Sequence, residues 1–151
     1  MAAFYRIVQA KWSTDAMTGE GARLFGGRWN PPGITAVYLA ESRALAALEI
    51  IVHAPVEVVS LDWHIIEVNV PDEWIESVTM KELPADWQAL PSSPGARNFG
   101  GTWLRRRNSL AMKLPSVIIP EEHTLLFNPL HPDARRVEIS HARKFRFDPR
   151  F

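Results

Sequence analysis

An α+β domain is the fold class this sequence predicts, and three observations carry it. Short apolar runs recur along the chain, only about two segments read as helix, and twelve prolines with six tryptophans point to many short elements rather than a helical bundle. At 151 residues the chain is long enough for one sizeable core and is read as a single domain over residues 1–151.

The elements follow in order. Phe4 to Val8 alternates as a strand does. Residues 11–33 show little periodicity and hold closely spaced glycines, which predicts loop. Ala36 to Ala40 is a short apolar strand. Ser42 suits the N-cap of a helix from Arg43 to about His53, stopped ahead of Pro55. Val56 to Val70 reads as a β-rich stretch ending at Pro71, and Ser77 to Met80 as another short strand. Leu83 to Trp87 reads as a turn entering a brief helix, and Pro91 to Gly95 as loop. A helix from about Ala96 to Arg107 must absorb Gly100 and Gly101, at roughly 1 kcal/mol each against Ala. Leu110–Leu114, Val117–Ile119, Thr124–Phe127 and a final run from Val137 to Phe147 complete the strands. No repeat or low-complexity segment is present.

Composition removes several function classes. Lys+Arg and Asp+Glu both total 17, so no net field favours nucleic acid or a membrane surface. Cysteine is absent, which excludes disulfides, thiolate nucleophiles and Cys-type metal sites, and suits a reducing, cytoplasmic setting. The amino end lacks an apolar signal region, and no apolar run approaches the roughly 20 residues of a membrane span. His53, His64, His123, His131 and His141 form no paired ligand motif, so no metal is expected. Walker, Gly-x-Gly-x-x-Gly and Gly-x-Ser-x-Gly patterns are also missing.

The stretch Leu24-Phe25-Gly26-Gly27-Arg28-Trp29-Asn30-Pro31-Pro32-Gly33 is the centre of the functional reading. Glycines admit close backbone approach, and a guanidinium is a fixed charged fork suited to phosphate oxygens. The same residues also suit a hairpin loop with a surface Arg. Glu49 sits in a helix apolar on nearly every face, beside a stripe of Leu45, Leu48 and Val52. A carboxylate there is either paired at the rim or put to use. Tyr38, on the strand before, either packs in the core or stacks on a flat ring with its hydroxyl wet. Ser116 follows a proline and is either a turn residue or a hydrogen-bond donor to ribose or phosphate. Arg105-Arg106-Arg107 beside Trp103 is a solvated helix end or a nucleic-acid contact.

Taken in order, Tyr5-Arg6, Gly-Gly-Arg28-Trp-Asn, Val37-Tyr38-Leu-Ala, Ala47-Leu48-Glu49, Leu114-Pro115-Ser116 and Asn128-Pro129-Leu-His131-Pro132 resemble the RES-domain family, the toxin half of bacterial RES–Xre toxin–antitoxin pairs. The likeness runs from Tyr5 to about Arg150, and the family's Arg, Glu and Ser fall on Arg28, Glu49 and Ser116. His123 departs from it, where many members carry Asn. The resemblance implies an ADP-ribosyltransferase-like fold, with an NAD cleft between two small sheets flanked by helices. It implies destruction of NAD by hydrolysis or phosphorolysis, or ADP-ribosylation of a protein from the same cleft. It gives Arg28, Tyr38 and Glu49 the catalytic roles, and Arg6, Arg28, Tyr38, Ser116 and Asn128 the substrate contacts. Arg28 would clamp the pyrophosphate, Tyr38 stack on nicotinamide, and Glu49 stabilise oxocarbenium-like charge. NAD enters as substrate and no metal is required. An Xre-like antitoxin that blocks the cleft is the implied partner; it alone would connect the chain to nucleic acid, and a homodimer stays open. Trp74, Trp87 and Trp103 are candidates for its contact surface. The alternative of a different class is a non-enzymatic nucleic-acid-binding module using Arg105 to Arg107.

Overall fold

The computed structural model describes all residues, 1–151, and its strands form one eight-stranded assembly. Strand β1 spans Ala2–Gln9, β2 Val37–Ala40, β3 Trp63–Val70, β4 Ile75–Ser77, β5 Ala111–Pro115, β6 His123–Phe127, β7 Glu138–Ile139 and β8 Arg143–Phe145. The α-helices are α1, Glu20–Phe25; α2, Arg43–His53; α3, Val56–Val59; and α4, Pro94–Arg106. Spatial order is β4-β5-β6-β2-β1-β3-β7, with β8 on β3 beside β7. All pairs are antiparallel except β4–β5, whose connection crosses over through α4.

The seam between β1 and β2 positions everything functional. β1 pairs with β3 over a full register from Ala2↔Val70 to Gln9↔Trp63, whereas β1 and β2 share only Tyr5↔Ala40. The two small sheets that the family resemblance implies are two halves of one sheet, β4-β5-β6-β2 and β1-β3-β7/β8, stitched at one point. On one face a single apolar layer runs across both halves, including Phe4, Val8, Val37, Leu39, Ile66, Val68, Leu125 and Phe127. On the other face the core is divided. Helix α2 lays Leu45 and Ala46 on Ile7, Ala40 and Ile65, while α4 lays Ala96, Trp103 and Leu104 on Met112, Leu114 and Leu126. Alternation along each strand sends these sets to opposite sides.

Local chemistry explains the helix ends. The Ser42 hydroxyl accepts the Leu45 N–H at 3.1 Å and Ser93 accepts the Ala96 N–H at 3.1 Å, so both long helices start on a side-chain cap. Helix α4 begins two residues earlier than expected because Pro94 suits the first helical position.

Several regions differ from the sequence reading. Val56–Val59 is a single helical turn rather than strand, because β1, the partner of β3, ends at Gln9 opposite Trp63. β-branched residues favour strands only where a pleated surface half-buries them, and Val56 stays exposed. Leu83 to Trp87 closes as a turn without a helix, and Val117–Ile119 bends instead of extending. The run Val137 to Phe147 splits into β7 and β8. Between Val68↔Ile139 and Ile65↔Arg143, β3 advances three residues while its partner advances four, so a bulge interrupts the ladder. The 11–33 region is loop with α1 and a 3-10 turn at Ala10–Asp15 inserted.

Gly100, which a helix interior disfavours, is where α4 lies against Trp29. A Cβ there would stand 1.9 Å from the Trp29 carbonyl oxygen, whereas one on Gly21 in α1 would meet nothing within 4 Å. Gly100→Ala is expected to destabilise the fold by about 3 kcal/mol or more, and Gly21→Ala to stabilise it by about 0.5–1 kcal/mol. Paired denaturant melts check this, and a Gly100→Ala midpoint equal to wild type would contradict the contact.

Candidate active site

A cleft of about 1340 Å³ opens over the β1–β2 seam, between the α2 core and the α4 core. Its lining includes Tyr5, Arg6 and Ile7 of β1, Tyr38 of β2, Glu49 and His53 of α2, residues 25–29, Leu90 to Ser92, and Arg97 of α4. Arg28, Tyr38 and Glu49, ten or more residues apart in sequence, thus share one cavity with Arg6.

The Gly-Gly-Arg-Trp-Asn loop is built around Tyr38. Gly26 sits at φ 75°, and a Cβ on Gly27 would be 2.6 Å from the Tyr38 hydroxyl. Gly27 therefore serves close packing against Tyr38, and Gly26 serves a left-handed turn packed against Pro32. The Tyr38 hydroxyl donates to Asn30 Oδ1 at 2.5 Å and accepts the Trp29 N–H at 3.1 Å. It is buried, not wet, and burial raises its pKa, so at neutral pH it stays a protonated phenol. What Tyr38 offers the cleft is its ring.

Arg28 projects from this loop, and its Nη1 donates to the carbonyls of Trp87 at 2.9 Å and Ala89 at 2.8 Å. Burial lowers its pKa, while the charge of Glu49 acts in the opposite direction. Glu49 faces the cavity from α2 with its side chain 35% exposed, and His53 one turn later places Nε2 3.8 Å from its carboxylate. Burial raises the Glu49 carboxyl above the ordinary glutamate range; His53 and then Arg28 oppose that shift. The buried stripe of α2 is Leu45 and Ala46, and Val52 is exposed at the cleft rim rather than packed.

Arg6 bridges the seam. Its Nη1 donates to the Tyr38 carbonyl at 3.1 Å, while its buried Nε has no partner. No carboxylate pairs with it, and burial lowers its pKa to about 10. It remains a cation at neutral pH, held without a counter-ion beside the cleft.

Two expected contacts are employed elsewhere. Ser116 is buried, and its hydroxyl accepts the N–H groups of Ile118 at 3.1 Å and Ile119 at 3.2 Å. It anchors the bend that presents Val117 and Ile118 to the cavity. Asn128 is buried away from the cleft, donating to the Leu104 carbonyl at 2.9 Å and accepting the Leu130 N–H at 3.1 Å. The Asn-Pro-Leu-His-Pro motif is a structural turn. His123 ties β6 to β2 through Glu41 at 2.8 Å.

The three tryptophans proposed as contacts are engaged within the fold. Trp87 stacks on Trp29 with centroids 6.4 Å apart, Trp103 donates its indole N–H to Glu76, and Trp74 packs against the apolar face. Arg105 to Arg107 are exposed with no aromatic side chain interleaved for stacking. At the cleft mouth Phe25, Leu90 and Val52 leave apolar surface exposed. The sequence reading missed His53 and Arg97 as cleft residues. His53 was signalled by its i+4 spacing from Glu49, whereas Arg97 carried no local signal. No group of side chains suited to a metal ion occurs in the structure.

The cleft has counterparts in known proteins. The RES domain family matches residues 3–148. The chain is 40% identical over 152 residues to the Prs ADP-ribosylating toxin of Sphingobium sp. strain YBL2, covering 97% of this chain and 94% of that one. A stretch of 37 residues is 57% identical to the NAD(+) phosphorylase MbcT of Mycobacterium tuberculosis strain H37Rv, 24% of this chain and 20% of that protein. A chain in the crystal structure of the M. tuberculosis MbcT–MbcA toxin–antitoxin complex superposes with a TM-score of 0.76 at 20% identity, over 96% of this chain and 84% of that one; this likeness concerns the fold. With nearly its whole length matched, the chain belongs to the RES-domain family.

Proposed function

We propose that this protein is a toxin that consumes NAD by breaking its nicotinamide–ribose bond. The observation that carries the reading is the convergence of Arg28, Tyr38 and Glu49 on one cleft beside the unpaired cation Arg6. Arg28 would leave the Trp87 and Ala89 carbonyls for the pyrophosphate, exchanging neutral acceptors for charged ones. The Tyr38 ring holds the nicotinamide, and the Glu49 carboxylate faces the ribose carbon that becomes electron-poor as nicotinamide departs. Nicotinamide leaves with the bonding electron pair and becomes neutral, so no acid needs to protonate it. Water or phosphate then adds to the ribose carbon. Transfer to a protein side chain from the same cleft is the second reading, favoured by the likeness to an ADP-ribosylating toxin.

An Xre-like antitoxin covering the cleft is the fitting partner, and the likeness to a toxin–antitoxin complex supports it. The exposed apolar rim of Phe25, Leu90 and Val52 offers it a contact. The cytoplasm holds the NAD pool such a toxin would deplete, and no helix is long and apolar enough to cross a membrane.

Purified protein freed of any partner is expected to release nicotinamide from NAD. Product analysis then separates the readings: ADP-ribose in phosphate-free buffer, its 1″-phosphate in phosphate buffer, or an adduct on a protein. NAD left intact in both buffers would refute the proposal.

Glu49→Gln is expected to slow nicotinamide release about 10²–10³-fold while changing the KM for NAD far less. In wild type the acid limb of the rate profile lies above the ~4.3 of an unperturbed glutamate. A variant within tenfold of wild type would remove Glu49 from the chemistry.

The same residue carries a stability signature. Because the folded-state pKa of Glu49 is raised, its contribution to stability is present below the unfolded pKa and lost as pH rises through the folded one. Glu49→Gln should therefore melt at or above the wild-type temperature at pH 7, with the gap closing below about pH 4. A lower melting temperature at pH 7 would contradict this environment.

A further inference from the structure

The cleft holds an arginine that the reading above does not use. Arg97 enters the lining from the first turns of α4, and its Nη1 donates to the Ser92 carbonyl at 2.7 Å and the Ser92 hydroxyl at 3.1 Å. Arg28 approaches the same loop from the opposite element and bonds the carbonyls of Trp87 and Ala89. Two guanidiniums thus flank residues 87–92, each engaged through Nη1 alone. Neither forms an ion pair with a carboxylate. Among the lining residues three guanidiniums, Arg6, Arg28 and Arg97, face the one carboxylate of Glu49. Such an excess suits a ligand with more than one anionic group.

We propose that Arg97 is the second half of a pyrophosphate clamp, taking the adenosine-side phosphate while Arg28 takes the nicotinamide-side phosphate. The proposal rests on the dinucleotide reading of the cleft and adds a direction to it. The charge of Arg28 acts on Glu49 across the cleft, and Arg97 is anchored on Ser92, next to the Leu90–Pro91 rim. The proposal accordingly sets Arg28 at the reacting end and Arg97 at the far end. The adenosine half then lies toward Leu90 and Pro91, where the rim is apolar. A guanidinium with free N–H groups reaches a phosphoryl with two parallel bonds, a geometry lysine lacks. Holding the Ser92 loop needs only Nη1; the rest of the fork is left for the ligand.

NMR titration of the full-length protein with ADP-ribose and with ribose 5-phosphate tests the assignment. Ribose 5-phosphate carries only the phosphate nearer the reacting carbon. Arg97→Gln should weaken ADP-ribose binding about 10- to 100-fold and leave ribose 5-phosphate within about threefold. Arg97→Lys should recover part of the loss, since it restores charge without the fork. Ser92→Ala, which leaves the guanidinium in place, should cost less than about threefold. In turnover, Arg97→Gln should raise the KM for NAD by a similar factor at nearly constant kcat, as removal of uniform binding does. An Arg97→Gln protein that binds ADP-ribose like wild type, or that loses both ligands equally because the loop has moved, overturns the clamp. Wild type that binds ADP-ribose yet cleaves no NAD would sink the activity reading and leave the clamp intact. Turnover with Arg97→Gln indistinguishable from wild type sinks the clamp alone.

Discussion

Asn30 has no exposed surface, and four hydrogen bonds leave its amide no freedom to turn. Its nitrogen donates to the carbonyls of Ala22, Pro31 and Ile34, and its oxygen accepts the Tyr38 hydroxyl. A polar group buried so completely is stable only while every bond is made. Those bonds tie α1, the proline turn and β2 into one rigid unit. Arg28, two residues before Asn30, inherits its position from this knot, and Trp29 between them is pinned by Tyr38 on one side and by Gly100 of α4 on the other. The guanidinium is thus presented to the cleft by a scaffold that does not need the ligand to form.

The second constraint is the seam. Because β1 and β2 share a single register pair, the sheet parts where Arg6 reaches across to the Tyr38 carbonyl. A buried cation with an unpartnered nitrogen is a cost to folding. Glu49 carries a smaller cost of the same kind, its ionised form disfavoured by burial. The stability given up at these two positions, one cationic and one acidic, lies in one cavity, which is the pattern expected where ionised groups are kept for use.

Much of this was legible in the residues. The cap at Ser42 and the stop at Pro55 placed Glu49 on a short helix, and the apolar runs placed most strands. The Gly-Gly-Arg-Trp-Asn stretch marked the right loop, although its glycines answer to packing against Tyr38 and Pro32. What the sequence could not disclose depends on partners far along the chain. Val56 to Val59 has strand propensity but no neighbouring strand, and Ser116 and Asn128 have polar side chains that the backbone consumes. Arg97 lies in an unremarkable Gly-Ala-Arg-Asn segment, and only the packing of α4 against Trp29 brings it to the cleft.

The central claim is that Arg28, Tyr38 and Glu49 act on one dinucleotide in one cavity. A crystal structure of the Glu49→Gln protein with NAD tests it most directly. The account predicts the pyrophosphate on the Arg28 guanidinium, released from the Trp87 and Ala89 carbonyls, the nicotinamide on the Tyr38 ring, and residue 49 beside the ribose. NAD bound elsewhere, with Arg28 still holding those two carbonyls, would contradict it.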